Sequence, residues 1–173
     1  MTTYCYDTEF LEDGRTIELI SIGIVCEDGR EYYAINSDMD TQRVKNDQWL
    51  LENVWLHLPL DRAGQLDVTD TRVKPKSVIA NDVREFVLSS GNSSVPELWA
   101  HFAAYDHVAL AQLWGKMIDL PEGIPRYSHD LRQEMDRVGV ASSAVPKPPN
   151  AHDALADARW NLEMLRAIRQ EAP

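Results

Sequence analysis

The chain has 173 residues, 44% apolar and 26% charged, with a formal net charge of -11 at neutral pH. That length can bury a core without disulfides or a structural metal, and the composition excludes disordered, collagenous and disulfide-scaffold proteins, so one domain over residues 1–173 is expected. The acidic balance argues against a broad basic face for gripping long nucleic acid.

Met1 leads almost directly into a strand, without the basic and apolar regions of a leader, and no apolar run approaches the ~20 residues of a membrane helix. The expected compartment is the cytoplasm. Thr3 to Phe10, Thr16 to Cys26 and Arg30 to Asn36 are rich in Tyr, Ile and Val. The breaks between them carry Asp13-Gly14 and Asp28-Gly29, which predicts a three-stranded antiparallel meander. Cys5 and Cys26 fall inside these strands and read as buried thiols. A helix around Thr41 to Val54 follows, then a polar surface connection with Pro59, Gly64 and Pro75 that holds the most basic patch, Arg72, Lys74 and Lys76.

From Ser77, a plausible N-cap, the spacing of Val78, Ile79, Val83, Phe86 and Val87 predicts a helix. Gly91-Asn92-Ser93 separates it from a fourth strand, Val95 to Phe102. Asp106 marks the change from that strand to a helix running to about Trp114. A short strand near Arg126 to Ser128 and a helix over Leu131 to Val138 come next. Pro146, Pro148 and Pro149 make a stiff approach to His152. The last helix, Asp153 to Arg169, carries Leu155, Ala158, Leu162, Leu165 and Ile168 as one apolar stripe. Three antiparallel strands and then alternating helix and strand imply an α/β fold with a mixed five-stranded sheet and helices on both faces.

Two carboxylates stand out at the start. Asp7 and Glu9 share one face of a strand whose other residues include Tyr4, Cys5, Tyr6 and Phe10, and burying two anions together requires a cation between them. The competing reading is a sheet with one wet face. Asp106 alone reads better as an N-cap, and its company with the other acids changes that reading. His152 precedes the last helix and Asp157 lies in it, whereas Asp153 suits the helix dipole. Four carboxylates and a histidine suit two-metal phosphodiester hydrolysis. A histidine-ligated HD-type phosphohydrolase, suggested by His129-Asp130 and His152-Asp153, conflicts with the β-rich first third and leaves Asp7 and Glu9 without a role. His57, His101 and His107 read as core or surface, and the tryptophans Trp49, Trp55, Trp99, Trp114 and Trp160 as core or interface.

Read in order, Asp7-x-Glu9, Tyr105-Asp106 and His152-x-x-x-x-Asp157 resemble the DEDDh signature of 3′-5′ exonucleases, a group that includes oligoribonuclease, RNase T and proofreading subunits. The Asp7-Thr8-Glu9-Phe10 opening, Glu18 to Gly23, and Leu98-Trp99-Ala100 before Ala104-Tyr105-Asp106-His107 look most like the small mycobacterial exoribonucleases described as polyadenylate-specific. The resemblance implies an RNase H-like fold and hydrolysis of single-stranded RNA 3′ ends to nucleoside 5′-monophosphates. It also implies two Mg²⁺ or Mn²⁺ ions held by Asp7, Glu9, Asp106 and Asp157, with His152 as general base, a role suited to a side chain that titrates near neutral pH. Substrate contacts would come from Thr8, through its backbone on the terminal sugar, and from Phe10 on the terminal base, unless Phe10 is plain core. Tyr105 is expected to pack. Many relatives are dimers, so a homodimer is expected. A DNA exonuclease, or a non-catalytic nucleic-acid-binding or scaffold protein on the same fold, are the alternatives. One departure is local: many relatives carry His-Asn before the Asp106 segment, where this chain has His101-Phe102.

Overall fold

The computed structural model describes residues 1–88 and 95–171; the predicted break at Gly91-Asn92-Ser93 lies outside them. Strands β1 (Thr2–Glu12), β2 (Ile17–Cys26) and β3 (Glu31–Asn36) form the antiparallel meander. Its turns close as their Asp-Gly pairs dictate. Asp13 Oδ1 accepts the backbone N–H groups of Arg15 and Thr16, Asp28 Oδ1 accepts that of Arg30, and Gly14 and Gly29 take the positive φ of 77° and 93°.

The sheet is mixed, as expected, but has six strands in the order β4-β3-β2-β1-β5-β6 rather than five. The extra strand, β4 (Val73–Lys74), pairs in parallel with Ile35 and Asn36 inside what the sequence presents as a plain surface connection. Two residues are too few to leave a period-two pattern. The same limit moves the short strand from Arg126–Ser128 to β6, His129–Asp130, which pairs with β5 (Pro96–Ala100). β5 runs parallel to β1.

The predicted helix over Thr41 to Val54 is two helices, α1 (Thr41–Asn46) and α2 (Gln48–Asn53), hinged at Asp47. The Asp47 N–H closes α1 on the Arg43 carbonyl while its carboxylate caps Leu50 N–H of α2. Helix α3 (Lys76–Leu88) already contains Ser77, so that residue is not its cap. Helices α4 (Ala103–Ala111), α5 (Leu131–Val138) and α6 (Ala154–Glu171) complete the chain. Among the described residues no helix is long and apolar enough to cross a membrane. Cys5 and Cys26 are buried free thiols.

Alternation along the strands divides the core. Tyr4, Tyr6, Ile22 and Ile24 pack against α3 and α4 on one face, and Cys5 and Val25 pack against α5 and α6 on the other. Asp7 follows Cys5 on the α6 face and pairs across the ladder with Gly23. A Cβ built on Gly23 would stand 2.4 Å from the Ala154 carbonyl oxygen and the Leu155 Cα, so the first turn of α6 rests directly on the β2 backbone. This contact brings Asp157 to the β1 carboxylates. Gly23→Ala must therefore push backbone away from backbone. We expect about 3 kcal/mol of lost stability in urea denaturation, at the upper end for overpacking, and loss of any activity that needs Asp157 beside Asp7.

Candidate active site

All five residues singled out from the sequence line one open cleft of about 420 Å³. Asp7 and Glu9 rise from β1, Asp106 from the first turn of α4, Asp157 from the first turn of α6, and His152 from the turn that leads into it. Asp106 is not an N-cap; Phe102 holds that position without a side-chain bond. Instead Asp106 Oδ1 accepts both the N–H and the hydroxyl of Thr8, at 2.8 and 2.7 Å, which locks α4 onto β1. The Thr8 N–H is thus engaged within the protein.

His152 has a left-handed backbone, φ 69°, and its N–H donates to Asp157 Oδ2 at 2.8 Å. That bond fixes the turn against the helix. The histidine ring meets the edge of Trp49 with centroids 4.8 Å apart. Ligand atoms of Glu9, His152 and Asp157 lie within 4.8 Å of one another, and Asp7 and Asp106 line the same cleft. Asp153 acts as the helix dipole favours, its carboxylate accepting Ala156 N–H at 2.9 Å.

Phe10 and Tyr105 stand in the cleft as stacked rings, centroids 5.9 Å apart and planes 8° from parallel. Tyr105 is 53% exposed, so it does not simply pack as the sequence suggested. The patch of Arg72, Lys74 and Lys76 is largely neutralised. Arg72 forks onto Asp70, and Lys74 Nζ lies 2.7 Å from Asp82.

Three site residues were not anticipated. Trp49, 51% exposed on α2, braces His152. Asn161 is buried one turn beyond Asp157 and donates to the Tyr6 carbonyl at 2.9 Å, tying α6 to β1 beside Asp7. Lys147, from the Pro146-Lys147-Pro148-Pro149 segment, sits 3.9 Å above the Trp160 ring and is the one Lys or Arg among the described residues lining the cleft. A polar residue four positions from Asp157 and a cation held between prolines are signals the sequence does carry.

So many anions beside one lysine perturb one another. Burial first, and then the charges of Asp106, Glu9 and Asp157, push the Asp7 carboxyl well above the usual range. Burial and the neighbouring Asp157, Asp106 and Asp153 push Glu9 to about 8. Asp106 and Asp157 are raised by burial too, against the hydrogen bonds from Thr8 and from the His152 backbone. Hard carboxylate oxygens with an imidazole nitrogen, short of positive charge, fit divalent cations such as Mg²⁺ or Mn²⁺. Raised carboxyls destabilise the ion-free fold as they lose protons. For Glu9 the stability present below 4.5 is lost as pH rises through about 8. In chelator, Glu9→Gln is expected to melt several degrees above wild type at pH 8.5 and level with it at pH 4.5; a gap independent of pH would be the contrary result.

Comparison with known proteins shows the family. The family model described as "3'-5' exoribonuclease Rv2179c-like domain" matches residues 2–169. The chain is 47% identical over 165 residues to the 3'-5' exoribonuclease Rv2179c of Mycobacterium tuberculosis strain H37Rv, covering 95% of this chain and 92% of that one. Among solved structures it resembles cell-death related nuclease 4 (CRN-4), with a TM-score of 0.65 and 15% identity. The superposition takes in 98% of this chain but only 64% of CRN-4, so the chain spans less than two thirds of that protein. It also resembles the nuclease domain of 3'hExo, a DEDDh family member bound to rAMP, with a TM-score of 0.59, 12% identity, and 99% and 92% of the two chains covered. The fold is that of these nucleases, and the chain belongs to the Rv2179c-like family of 3′-5′ exoribonucleases.

Proposed function

We propose that this protein hydrolyses single-stranded RNA from the 3′ end, releasing nucleoside 5′-monophosphates one at a time. The observation that carries this reading is the meeting of Asp7, Glu9, Asp106, Asp157 and His152 in one cleft where Lys147 is the one Lys or Arg among the described residues. Those four carboxylates would hold two Mg²⁺ or Mn²⁺ ions, which when bound supply an acidified water and charge stabilisation at the phosphoryl and leaving oxygens.

The chain's own residues do the rest. His152 takes the proton of the attacking water, its ring steered by Trp49 and its backbone pinned by Asp157. Asp106 is oriented by its two bonds from Thr8, both made to Oδ1, which leaves Oδ2 for an ion. Phe10 and Tyr105 receive the terminal base, a contact that tolerates any sequence. Lys147, steadied by the Trp160 face and by flanking prolines, meets a substrate phosphate. With Lys147 the one Lys or Arg among the described residues lining the cleft, and Arg72 and Lys74 held by Asp70 and Asp82, few phosphates are neutralised, and salt should weaken binding only shallowly. We propose further that the chain acts in the cytoplasm as one catalytic domain, and that two copies associate, the last on resemblance alone.

The test is product analysis on 5′-labelled single strands of RNA and DNA, with Mn²⁺, with Mg²⁺ and with chelator. A ladder shortened by one nucleotide at a time from the 3′ end of RNA, absent in chelator, is the expected result. Internal cuts, 5′ shortening, or full activity in chelator would overturn it, and an equal or faster ladder on DNA would transfer the reading to a DNA exonuclease.

A further inference from the structure

Phe102 occupies a place that neither local geometry nor packing favours. Its backbone is left-handed, φ 59° and ψ 43°, a region that bulky L residues rarely adopt and that Gly or Asn would take without strain. The residue is 60% exposed. Its ring touches His101, with centroids 4.4 Å apart, and no buried cluster includes it. The turn does not need the ring either, because Asp130 Oδ2 accepts Ala103 N–H at 2.9 Å and holds the start of α4. Only one other non-glycine residue among the described ones has positive φ, His152, and it lines the same cleft. Strain kept at such positions marks a site shaped for a ligand.

We infer that the Phe102 ring is a stacking platform for a nucleobase upstream of the scissile linkage, distinct from the Phe10–Tyr105 pair that takes the terminal base; this rests on the exoribonuclease reading above. Phe10 and Tyr105 stack on each other across β1 and α4, whereas the Phe102 ring meets His101 in the turn after β5, so one cleft carries two aromatic surfaces with different neighbours. An exposed ring at the wall of that cleft offers a π-face to any base, adding affinity without reading sequence. The enzyme would then hold a strand with several bases better than its terminal nucleotide alone.

The test compares wild type, Phe102→Asn and Phe102→Tyr on a short single-stranded RNA, either intact or carrying an abasic ribose at the terminal, penultimate or third position. On intact RNA, Phe102→Asn should raise KM roughly tenfold, the worth of one stacked base, while Phe102→Tyr stays near wild type. The difference between Asn and wild type should vanish when one upstream base is missing and persist when only the terminal base is missing. The melting midpoint of Phe102→Asn should rise by about 2 °C, since Asn tolerates the left-handed backbone. An unchanged KM, a KM change that follows the terminal base or is equal on all substrates, or a lowered melting midpoint would each overturn the inference. If wild type fails to shorten the intact RNA, the exoribonuclease reading itself falls. If wild type shortens it and Phe102→Asn is indistinguishable, only the upstream platform falls.

Discussion

Asp7→Asn is expected to cut RNA hydrolysis by at least about a thousandfold, the scale of several kcal/mol lost from charge stabilisation at the reacting phosphate, while the ion-free protein melts no lower than wild type. The two halves of this expectation come from one cause. Asp7 is held in surroundings that oppose its charge, with burial first and the carboxylates of Asp106, Glu9 and Asp157 next. An amide of the same shape removes that repulsion, so at any pH above the ordinary carboxylate range the ion-free fold should gain stability. The same anion is what the divalent ions need, so activity moves the other way. Asp157→Asn should behave alike, and its remaining side-chain oxygen can still accept the His152 N–H, which separates charge from architecture. Single-turnover shortening of labelled RNA at saturating Mn²⁺ measures the first half, and thermal melting in chelator the second. A variant that turns over like wild type would remove that carboxylate from the ion site. A variant that melts far lower would mean that the carboxylate is a structural group.

The contrast between what the chain declares and what it conceals follows from contact range. Asp7 and Glu9 are legible because a strand has a period of two and charge on one face of an apolar stretch needs a partner. The meander is legible because Asp13-Gly14 and Asp28-Gly29 set their turns locally. Asp106, His152 and Asp157 gain meaning only as a set, through the resemblance, since each alone suits a cap, a loop or a first helical turn. What stayed hidden joins distant parts of the chain. Thr8 reaches Asp106 across 98 positions, and Asn161 reaches Tyr6 across 155. Trp49 meets His152 only because Asp47 breaks the predicted helix and restarts it as α2. β4 was missed for the opposite reason, being too short to show a pattern at all. In the sequence Phe102 shows only as a departure from His-Asn, and its left-handed backbone and exposure emerge with the turn after β5.

His152→Ala is expected to lower the maximal rate by roughly a hundredfold to ten-thousandfold, the usual worth of a positioned general base. The geometry sharpens what must be measured alongside. Because the His152 ring lies within 4.8 Å of ligand atoms of Glu9 and Asp157, loss of rate alone cannot tell a lost base from a lost ion ligand. Two further readings can. A lost base leaves the Mn²⁺ concentration for half-maximal rate nearly in place, and added imidazole, small enough for the space left beside Trp49, restores part of the rate. A lost ligand moves the Mn²⁺ requirement upward by roughly tenfold or more, and excess Mn²⁺ restores the rate without imidazole. The left-handed backbone at position 152 strains Ala as well, so His152→Asn, which tolerates that conformation and keeps the N–H bond to Asp157, is the control for the turn itself. If Asn recovers most of the activity without imidazole, what Ala lost was the shape of the turn, and the proton must be taken by another group in the cleft.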